Sequence, residues 1–469
     1  MKMKTTYPLI ISLIFLLSCQ TSQKPALREG KFYTEVALTP PMGWNSYNCF
    51  GAAVVESEVR ANADFMAKHL KNYGWQYVVI DYCWYYPHPP KSVQENPPQF
   101  NLPQDGAPVP WMPMDEYGRL LPDPRKFPSS VNGQGFKPIA DYIHSLGLKF
   151  GIHLMRGIAR QAIWLNTPVK GVEGIKASMI ADTNSICTWL NLMYGVDMTK
   201  KGAQDYYNSL FELYASWDVD FVKVDNINAG EGEGPYRKEE AEAYRKAIDH
   251  CGRPMVLSFS SGLSYENAEH IRKYGNMWRI SSDFWDTWEQ LKAQFPLCAQ
   301  WAHISAPKSW PDADMLPIGN LRLRGPFGKP GKSNFTIEEQ YTHMTLWSIF
   351  RSPLMIGGNL PDADELLLKL ITNEKVLEVN QHAENSREVF NENDQVIWMA
   401  DVPGTRDKYV ALFNLGEEPK EIGFAFSNFK LSNKYKVRDL WKKKDIGTFE
   451  NELKVTVPFH GARLYKFSE

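Results

Sequence analysis

The stretch VDFVKVDNINAG, residues 219–230, carries charges in an otherwise apolar strand. Strand side chains alternate between two faces, so Lys223 and Asp225 share one face with Phe221, and the two valines between them lie on the other. At a solvated sheet surface this arrangement needs no explanation. If both faces are covered, the charges are costly unless each has a partner, and a chain that keeps them has a use for them. The surrounding sequence has to decide between these interpretations.

An amphipathic helix, a stop and a short apolar strand recur from about residue 36 to residue 384. The predicted helices cover residues 55–72, 137–145, 201–216 and 238–250, and glycines just past several of them are typical helix ends. The predicted strands lie in PPMGWNS (40–46), WQYVVIDYCW (75–84), LKFGIHLMR (148–156), VDFVKVDNI (219–227), RPMVLSFSS (253–261), MWRISSDF (277–284), WAHISAP (301–307) and SPLMIGG (352–358). Close to eight such units favour an α/β fold of the TIM type, a (β/α)8 barrel over residues 36–384. An open doubly wound sheet is the alternative, but no GxGxxG loop supports it.

The pattern changes after about residue 385, where short strands follow one another without helices. These strands are QVIWMADV (395–402), KYVALFNLG (408–416), EIGFAFSNF (421–429), YKVRDLW (435–441) and ELKVTVPF (452–459). They predict a C-terminal antiparallel β-sandwich over residues 385–469, which either covers one side of the barrel or binds glycan. The proline-rich stretch 87–113 is predicted to be a long loop, either a wall of an active site or a plain surface insertion.

The N-terminus, MKMKTTYPLIISLIFLLSCQ, has a basic start and an apolar run, Leu9 to Leu17, that is too short to span a bilayer. Its end at Cys19 resembles the lipobox of bacterial lipoproteins. This resemblance predicts a signal peptide over residues 1–18, acylation of Cys19 and a tether over residues 19–35. The chain would then be an exported bacterial lipoprotein of the cell envelope, held on a membrane by its lipid. An ordinary signal peptide with an incidental cysteine is the alternative.

The composition of the chain excludes few classes of function. The chain has 52 basic and 54 acidic residues, so nothing indicates nucleic acid as a partner. The five remaining cysteines have no metal-finger spacing and leave room for one or two disulfides whose pairing the sequence does not fix, namely Cys49, Cys83, Cys187, Cys251 and Cys298. Oligomeric state is likewise undetermined.

Polar residues stand at the ends of several predicted strands, where a parallel barrel places its catalytic groups. They are Asp81, His153, Arg156, Lys223, Asp225, Ser258, Ser260, Arg279 and Asp283. A buried ion-pair network that ties the strands together would need the same residues. Two carboxylates from different strands also suit glycoside hydrolysis, in which one attacks the anomeric carbon and the other serves as acid and base. A cation beside the attacking carboxylate keeps it ionised, which suits Asp225 with Lys223.

Successive motifs resemble those of glycoside hydrolase family 27, the family of α-galactosidases and α-N-acetylgalactosaminidases. The motifs are TPPMGWNSYNCFG (39–51), YVVIDYCW (77–84), DEYGRLLPDPRKFPS (115–129), VDFVKVDNI (219–227), MWRISSDFWDTW (277–288) and PDADML (311–316). The resemblance implies a catalytic (β/α)8 barrel followed by a β-sandwich. It also implies a retaining exo-glycosidase, an α-galactosidase acting on a galactose-containing glycan, with no cofactor and no metal.

Carried over residue by residue, the resemblance makes Asp225 the nucleophile and Asp283 the acid/base. A retaining mechanism places the two carboxyl groups roughly 5–5.5 Å apart. The resemblance further implies substrate contacts from the aromatic wall Trp44, the carboxylate Asp81, the cations Lys223 and Arg279, and the far wall formed by Asp314 and Met315. His153 stands where the family usually has a tyrosine, and a core or supporting role is expected for it.

Three departures bear on the substrate. The family usually reads Asp-Asp-Cys-Trp where this chain has Asp81 followed by Tyr82, and losing one acceptor weakens binding of a buried hydroxyl by roughly 1–3 kcal/mol. A bulky Tyr82 would also fill space meant for a hydroxymethyl group, which favours β-L-arabinopyranosides. GIHLMRGIARQA (151–162) replaces a strand end that usually contains tyrosine and aspartate. At the loop that contacts the sugar 2-position, Ser260 resembles N-acetylgalactosaminidases whereas Leu263 resembles galactosidases.

Two alternatives belong to other classes. A lysine on a barrel strand can form an imine, so a Schiff-base lyase using Lys223 is one of them. A non-catalytic sugar-binding lipoprotein on an inactive barrel is the other, although that interpretation requires a missing carboxylate and both Asp225 and Asp283 are present.

Overall fold

A computed structural model describes residues 35–87, 112–227, 234–325 and 327–469. The predicted signal peptide, Cys19 and nearly all of the tether therefore lie outside the described residues, as does most of the proline-rich loop. Within the described ranges, no helix is both long and apolar enough to cross a membrane.

Eight parallel strands form a curled sheet. They are β1 (Met42–Asn45), β2 (Tyr77–Ile80), β3 (Lys149–Met155), β4 (Phe221–Asp225), β5 (Val256–Phe259), β6 (Met277–Arg279), β7 (Trp310–Asp312) and β8 (Leu354–Ile356). Their order in the sheet is β7-β6-β5-β4-β3-β2-β1-β8, and every pairing is parallel. Just past β7, Leu316 forms a parallel bridge to Ile356 of β8 and brings the two edges together. The predicted barrel is confirmed.

The barrel interior explains the alternation seen in the sequence. Inward-facing side chains of the strands form one apolar cluster, which includes Tyr77, Val79, Phe221, Val256, Met277, Trp310 and Met355. The valines of β4, Val222 and Val224, belong to the separate apolar core outside the barrel and are fully buried. Both faces of β4 are therefore covered, and Lys223 and Asp225 stand above the interior apolar cluster at the carboxyl end of the barrel.

Glycines allow the strands to approach each other closely. A Cβ atom at Gly43 of β1 would lie 2.3 Å from the carbonyl oxygen of Tyr77 on β2. A Cβ atom at Gly151 of β3 would lie 3.0 Å from side-chain atoms of both Phe221 and Val79. A larger residue at Gly43 would force these strands apart below the site.

Helices cover the outside of the barrel. The longer ones are Glu56–His69, Lys137–Ser145, Ala203–Ser216, Lys238–Cys251, Ala268–Tyr274, Trp288–Trp301, Ile337–Phe350, Glu365–Ile371 and Glu374–His382. The four helices predicted from periodicity are present. The predicted strand WAHISAP is wrong, because Trp301 ends a helix and Ala302–Ile304 continues as a 3-10 turn. The seventh strand is instead Trp310–Asp312, which overlaps the start of the motif PDADML (311–316).

The antiparallel strands that follow are β9 (Glu384–Glu392), β10 (Gln395–Asp401), β11 (Lys408–Asn414), β12 (Lys420–Ala425), β13 (Lys434–Asp439), β14 (Lys444–Glu450), β15 (Glu452–Val457) and β16 (Ala462–Ser468). Six form one sheet in the order β9-β10-β11-β16-β13-β14, and β12 pairs with β15 in a second. Buried apolar side chains fill the space between the two sheets. The other face of the larger sheet packs on the barrel, for example through Phe413 against Phe295, whose ring centroids are 5.0 Å apart.

The five described cysteines, at positions 49, 83, 187, 251 and 298, form no disulfide. Four are buried and one is partly buried. Burial raises the pKa of the Cys49 thiol to about 12, so this residue is a small apolar core side chain rather than a reactive thiol.

Candidate active site

Lys223 and Asp225, the two charged residues of β4, have partners on other strands of the barrel. Lys223 Nζ lies 3.1 Å from Oδ2 of Asp81, at the end of β2, and the Asn45 amide donates to the same oxygen at 2.8 Å. Burial alone raises the pKa of Asp81, but Lys223, His153 and Asn45 together hold it below its ordinary value. Burial alone lowers the pKa of Lys223, and the charges of Asp81 and Asp225 raise it above its usual range. The lysine is therefore a cation inside the barrel.

Asp225 is held as a carboxylate. Its side chain is 15% exposed, and Nε2 of His153 on the neighbouring β3 lies 3.1 Å from its Oδ2. A carboxylate only accepts hydrogen bonds, so Nε2 of His153 is the donor. The backbone N–H of Asn226 donates to Oδ1 at 2.7 Å. Burial raises the pKa of Asp225, but His153, Lys223 and this N–H lower it to about 2.

Asp283 differs from Asp225 in its exposure. Its side chain is 52% exposed, and both terminal nitrogens of Arg279 lie 3.4 Å from its Oδ1. Arg279 itself is buried and forms a second ion pair with Asp314, Nη2 to Oδ2, at 2.7 Å. Asp314 also accepts the backbone N–H of Phe284 at 2.7 Å. Burial, with the nearby charges of Asp283 and Asp312, raises the pKa of Asp314 above its ordinary value despite Arg279.

Three carboxylates converge on the same tyrosines. Burial raises the pKa of Tyr47 well above its usual range, and the charges of Asp283, Asp81 and Asp225 raise it further. The same three carboxylates raise the pKa of Tyr82, for which burial is again the largest cause. Asp81, Asp225 and Asp283 therefore all act electrostatically on these two tyrosines, and each of the three follows or ends a barrel strand at its carboxyl end.

The aromatic wall is not the residue expected from the sequence. Trp44 is fully buried, and its indole N–H donates to the Gly358 carbonyl at 2.9 Å, so its ring cannot contact a sugar. Trp44 is therefore not the aromatic wall that the sequence predicts, and the ring beside Lys223 is that of Tyr47, three residues further on. The Tyr47 ring is only partly buried and lies 6.0 Å from Nζ of Lys223 and 5.4 Å from the ring of Tyr82.

Tyr82 occupies the position where the family usually has a second aspartate. It is 4% exposed, and its ring lies 5.9 Å from that of His153 and 6.3 Å from that of Trp189. Trp189 was not identified from the sequence. It lies far along the chain from Tyr82, in a segment that no motif marks.

The remaining predicted residues, Ser260 and Met315, follow β5 and β7. Ser260 follows β5, is buried, and donates its backbone N–H to the Val224 carbonyl at 2.9 Å. Met315 packs in the interior apolar cluster, on which the Tyr47 ring also rests. His153, expected to have a supporting role, contacts Asp225 directly, while its Nδ1 is buried without a hydrogen-bond partner.

One group of described residues has the donor atoms to hold a metal ion, but it lies away from this site. The side chains of Asp141, His144 and Asp218 have ligand atoms within 4.8 Å of one another. Asp218 is already paired with Arg253 at 2.8 Å and with Lys137 at 3.2 Å. These pairs account for the charges of the group as ordinary surface ion pairs.

A barrel with an ionised carboxylate on β4, a half-exposed carboxylate after β6, and cations and aromatic rings around them has the features of a glycoside hydrolase. The sequence model of the family described as alpha galactosidase A matches residues 194–382, and that of the alpha galactosidase C-terminal beta sandwich domain matches residues 392–467. Alpha-galactosidase 3 of Arabidopsis thaliana is 28% identical over 443 residues, which cover 92% of this chain and 82% of that protein.

Solved structures give a higher identity. A GH27 β-L-arabinopyranosidase from Geobacillus stearothermophilus is 48% identical over 93% of this chain and 98% of its own, with a TM-score of 0.88. A variant of that enzyme in complex with arabinose is 46% identical over 94% of this chain and 100% of its own, with a TM-score of 0.89. The chain belongs to glycoside hydrolase family 27, and the prediction of an α-galactosidase-like glycoside hydrolase is confirmed.

Proposed function

We propose that this protein is a retaining exo-glycosidase for terminal sugars of the galactose configuration, with Asp225 as nucleophile and Asp283 as acid/base. The observation that carries this proposal is the Asp225 carboxylate at the end of β4, which accepts hydrogen bonds from His153 at 3.1 Å and from the Asn226 N–H at 2.7 Å, together with the Asp283 carboxylate after β6, which stays 52% exposed. An ionised carboxylate attacks an anomeric carbon, whereas the partner must reach both the leaving oxygen and incoming water.

In the first step Asp225 forms a bond to the anomeric carbon, the bond from that carbon to the leaving oxygen breaks, and Asp283 gives its proton to that oxygen. In the second step Asp283 takes a proton from water, which attacks the same carbon and frees Asp225. Lys223 and Asp81, paired at 3.1 Å, offer a donor and an acceptor to hydroxyl groups of the bound sugar. The ion pair of Arg279 with Asp314, at 2.7 Å, keeps the guanidinium in place beside Asp283.

A β-L-arabinopyranosyl group is the preferred substrate, ahead of an α-D-galactosyl group. The two sugars share their ring configuration and differ by the hydroxymethyl group that only galactose carries. Tyr82 supplies a buried ring where the family usually has a carboxylate for the O4 and O6 side, so the site has lost an acceptor and gained bulk there. The 48% identity to an enzyme named β-L-arabinopyranosidase supports the same preference, while the curated α-galactosidases support the galactoside activity.

Initial rates on the nitrophenyl β-L-arabinopyranoside, α-galactoside and α-N-acetylgalactosaminide test this proposal, with Asp225→Asn as the blank. We expect the arabinopyranoside to have the highest kcat/KM and the galactoside to be turned over more slowly. A clear preference for the galactoside would overturn the role given to Tyr82. Absence of any Asp225-dependent rate on all three would overturn the activity itself.

A Schiff-base lyase is disfavoured by the state of Lys223. An imine-forming lysine has to be neutral, and its pKa is normally lowered. Here Asp81 and Asp225 raise the pKa of Lys223 above its usual range. Borohydride trapping of a sugar on Lys223 would contradict this argument.

We also propose that the chain is exported and anchored through an acylated Cys19, as its N-terminal sequence predicts. Labelling with radioactive palmitate in a bacterial host tests this, with Cys19→Ala as control. Equal labelling of both chains would overturn the proposal.

A further inference from the structure

Five aromatic rings form a continuous arc from the sugar site outward. Ring centroids lie 6.3 Å apart from Trp189 to Tyr82, 5.4 Å from Tyr82 to Tyr47, 6.1 Å from Tyr47 to Trp285 and 4.8 Å from Trp285 to Phe327. The inner members stand beside the carboxylates of the proposed reaction. Tyr82 is 4% exposed, Tyr47 and Trp285 are partly buried, and Phe327 is 43% exposed.

The outer aromatic pair, Trp285 and Phe327, lies on the side of the acid/base. Trp285 follows Asp283 by two residues, and Tyr47 separates it from the sugar site. In a retaining glycosidase the acid/base protonates the leaving oxygen, so groups beyond it face the leaving group rather than the terminal sugar. The two rings meet edge to face, at an interplanar angle of 84°.

A buried ion pair fixes the two segments that carry this pair. Asp286 and Arg322 are both nearly fully buried, with Nη1 of Arg322 2.8 Å from Oδ1 of Asp286 and Nη2 3.1 Å from Oδ2. Phe327 lies between two short antiparallel strands, Asn320–Leu321 and Gly331–Lys332. Arg322 also donates to the carbonyls of Lys329 and Lys332, which follow Phe327 in the chain. A single exposed phenylalanine is ordinary, but one held by a buried ion pair against a tryptophan beside the acid/base is a built feature.

We propose that Trp285 and Phe327 form a leaving-group subsite that binds a ring with an apolar face, either an aryl group or the next pyranose of a glycan. This inference rests on the proposed function, because it takes Asp283 as the acid/base. Aromatic faces bind both kinds of ring by stacking. The same subsite would receive acceptors: when an acceptor hydroxyl gives its proton to Asp283 and its oxygen bonds to the anomeric carbon, the bond from that carbon to Asp225 breaks.

The test compares leaving groups in the wild type, Trp285→Ala and Phe327→Ala. Trp164→Ala is the matched control, because Trp164 is 45% exposed and outside the arc. We expect kcat/KM on the nitrophenyl glycoside to fall about five- to tenfold in the outer-pair variants, a typical value for one aromatic contact, with little change on the methyl glycoside. Equal losses on both glycosides would overturn the proposal.

Competition between acceptors shows whether the subsite binds an aryl group or a pyranose. The ratio of transfer to hydrolysis is measured with benzyl alcohol, methyl β-D-xylopyranoside and methanol as acceptors. A fall in the variants for benzyl alcohol alone assigns the subsite to aryl groups, a fall for the xyloside assigns it to sugars, and no fall relative to methanol overturns it.

A binding measurement tests the leaving-group subsite without relying on turnover. Calorimetry with the Asp225→Asn chain, with and without Trp285→Ala, should show a five- to tenfold weaker Kd for the nitrophenyl glycoside and an unchanged Kd for the methyl glycoside. Loss of all turnover in the wild type would count against the proposed reaction. Intact turnover with unchanged selectivity and binding would count against the subsite alone.

Discussion

Replacing His153 by phenylalanine should make the enzyme sensitive to acid. His153 is fully buried, and its Nε2 donates to Asp225 at 3.1 Å. Phenylalanine keeps a flat ring at this position but removes the donor. It also removes Nδ1, which is buried without a partner, so the fold gives up one hydrogen bond and loses one unsatisfied polar atom.

The expected magnitude follows from the state of Asp225. Its pKa falls from an ordinary 3.8 to about 2, which corresponds to about 2 kcal/mol in favour of the carboxylate. His153 supplies both a hydrogen bond and an electrostatic contribution to this lowering, whereas burial acts against it. Without His153, the pKa of Asp225 should rise by about one to two pH units. The nucleophile would then become protonated as the pH falls towards 4.

The assay is kcat/KM for the nitrophenyl β-L-arabinopyranoside between pH 3 and pH 7. The wild type should lose no activity through Asp225 until well below pH 4, whereas the variant should show an acid limb displaced upward by about one to two pH units. Near neutral pH Asp225 is ionised in both proteins, so the difference between them should be smallest there. His153→Gln retains a donor and should recover part of the acid tolerance.

Circular dichroism at each pH separates protonation of the nucleophile from acid unfolding, and His303→Phe, an exposed histidine, controls for loss of a surface histidine. An acid limb that coincides in wild type and His153→Phe, with both proteins folded, would refute the reasoning. A uniform loss at every pH would also refute it, because it would assign His153 a purely structural role.

Three further changes have defined outcomes. Tyr82→Asp should raise kcat/KM for the galactoside relative to the arabinopyranoside about ten- to hundredfold, because a hydrogen bond to a charged group is worth ~1.5–3 kcal/mol. An equal change in kcat/KM on both glycosides would contradict this prediction. Lys223→Met leaves Asp81 buried without its cation and should lower the free energy of unfolding by about 3–5 kcal/mol in urea titrations, with partial recovery on adding Asp81→Asn. His460→Ala removes a hydrogen bond of 2.7 Å to Glu339 between the sandwich and the barrel, and should lower the free energy of unfolding by about 1.5–3 kcal/mol.

The family motifs and the local patterns of the chain identified most of the catalytic end of the barrel. Alternation along a strand is a property of consecutive residues, so Lys223 and Asp225 could be assigned to one face before any contact was known. Helix periodicity is equally local, and it located Lys137–Ser145 and Lys238–Cys251 closely. The K-x-D strand and the R-x-x-x-D segment could thus be placed on one end of one barrel.

Short strands could not be predicted from the sequence, because too few residues carry the alternating pattern. The strand Trp310–Asp312 has three residues, too few for alternation to show. The apolar segment WAHISAP (301–307), just upstream, has the stronger strand pattern and therefore gave a wrong prediction. The strand Lys444–Glu450 was also missed, because it lies at the sheet edge with mostly exposed or half-exposed residues and no apolar face.

The sequence by itself determined the barrel and the face on which the charges of β4 stand, and its family motifs predicted the pair of carboxylates Asp225 and Asp283. Only the tertiary structure decided which side chains meet them. His153 contacts Asp225 from 72 positions away, and Lys223 reaches Asp81 across 142 positions. It also decided that Tyr47 rather than Trp44 faces the site. Such choices depend on how the strands tilt and close around the barrel, and that geometry is set by the packing of all eight strands together rather than by neighbours in the chain.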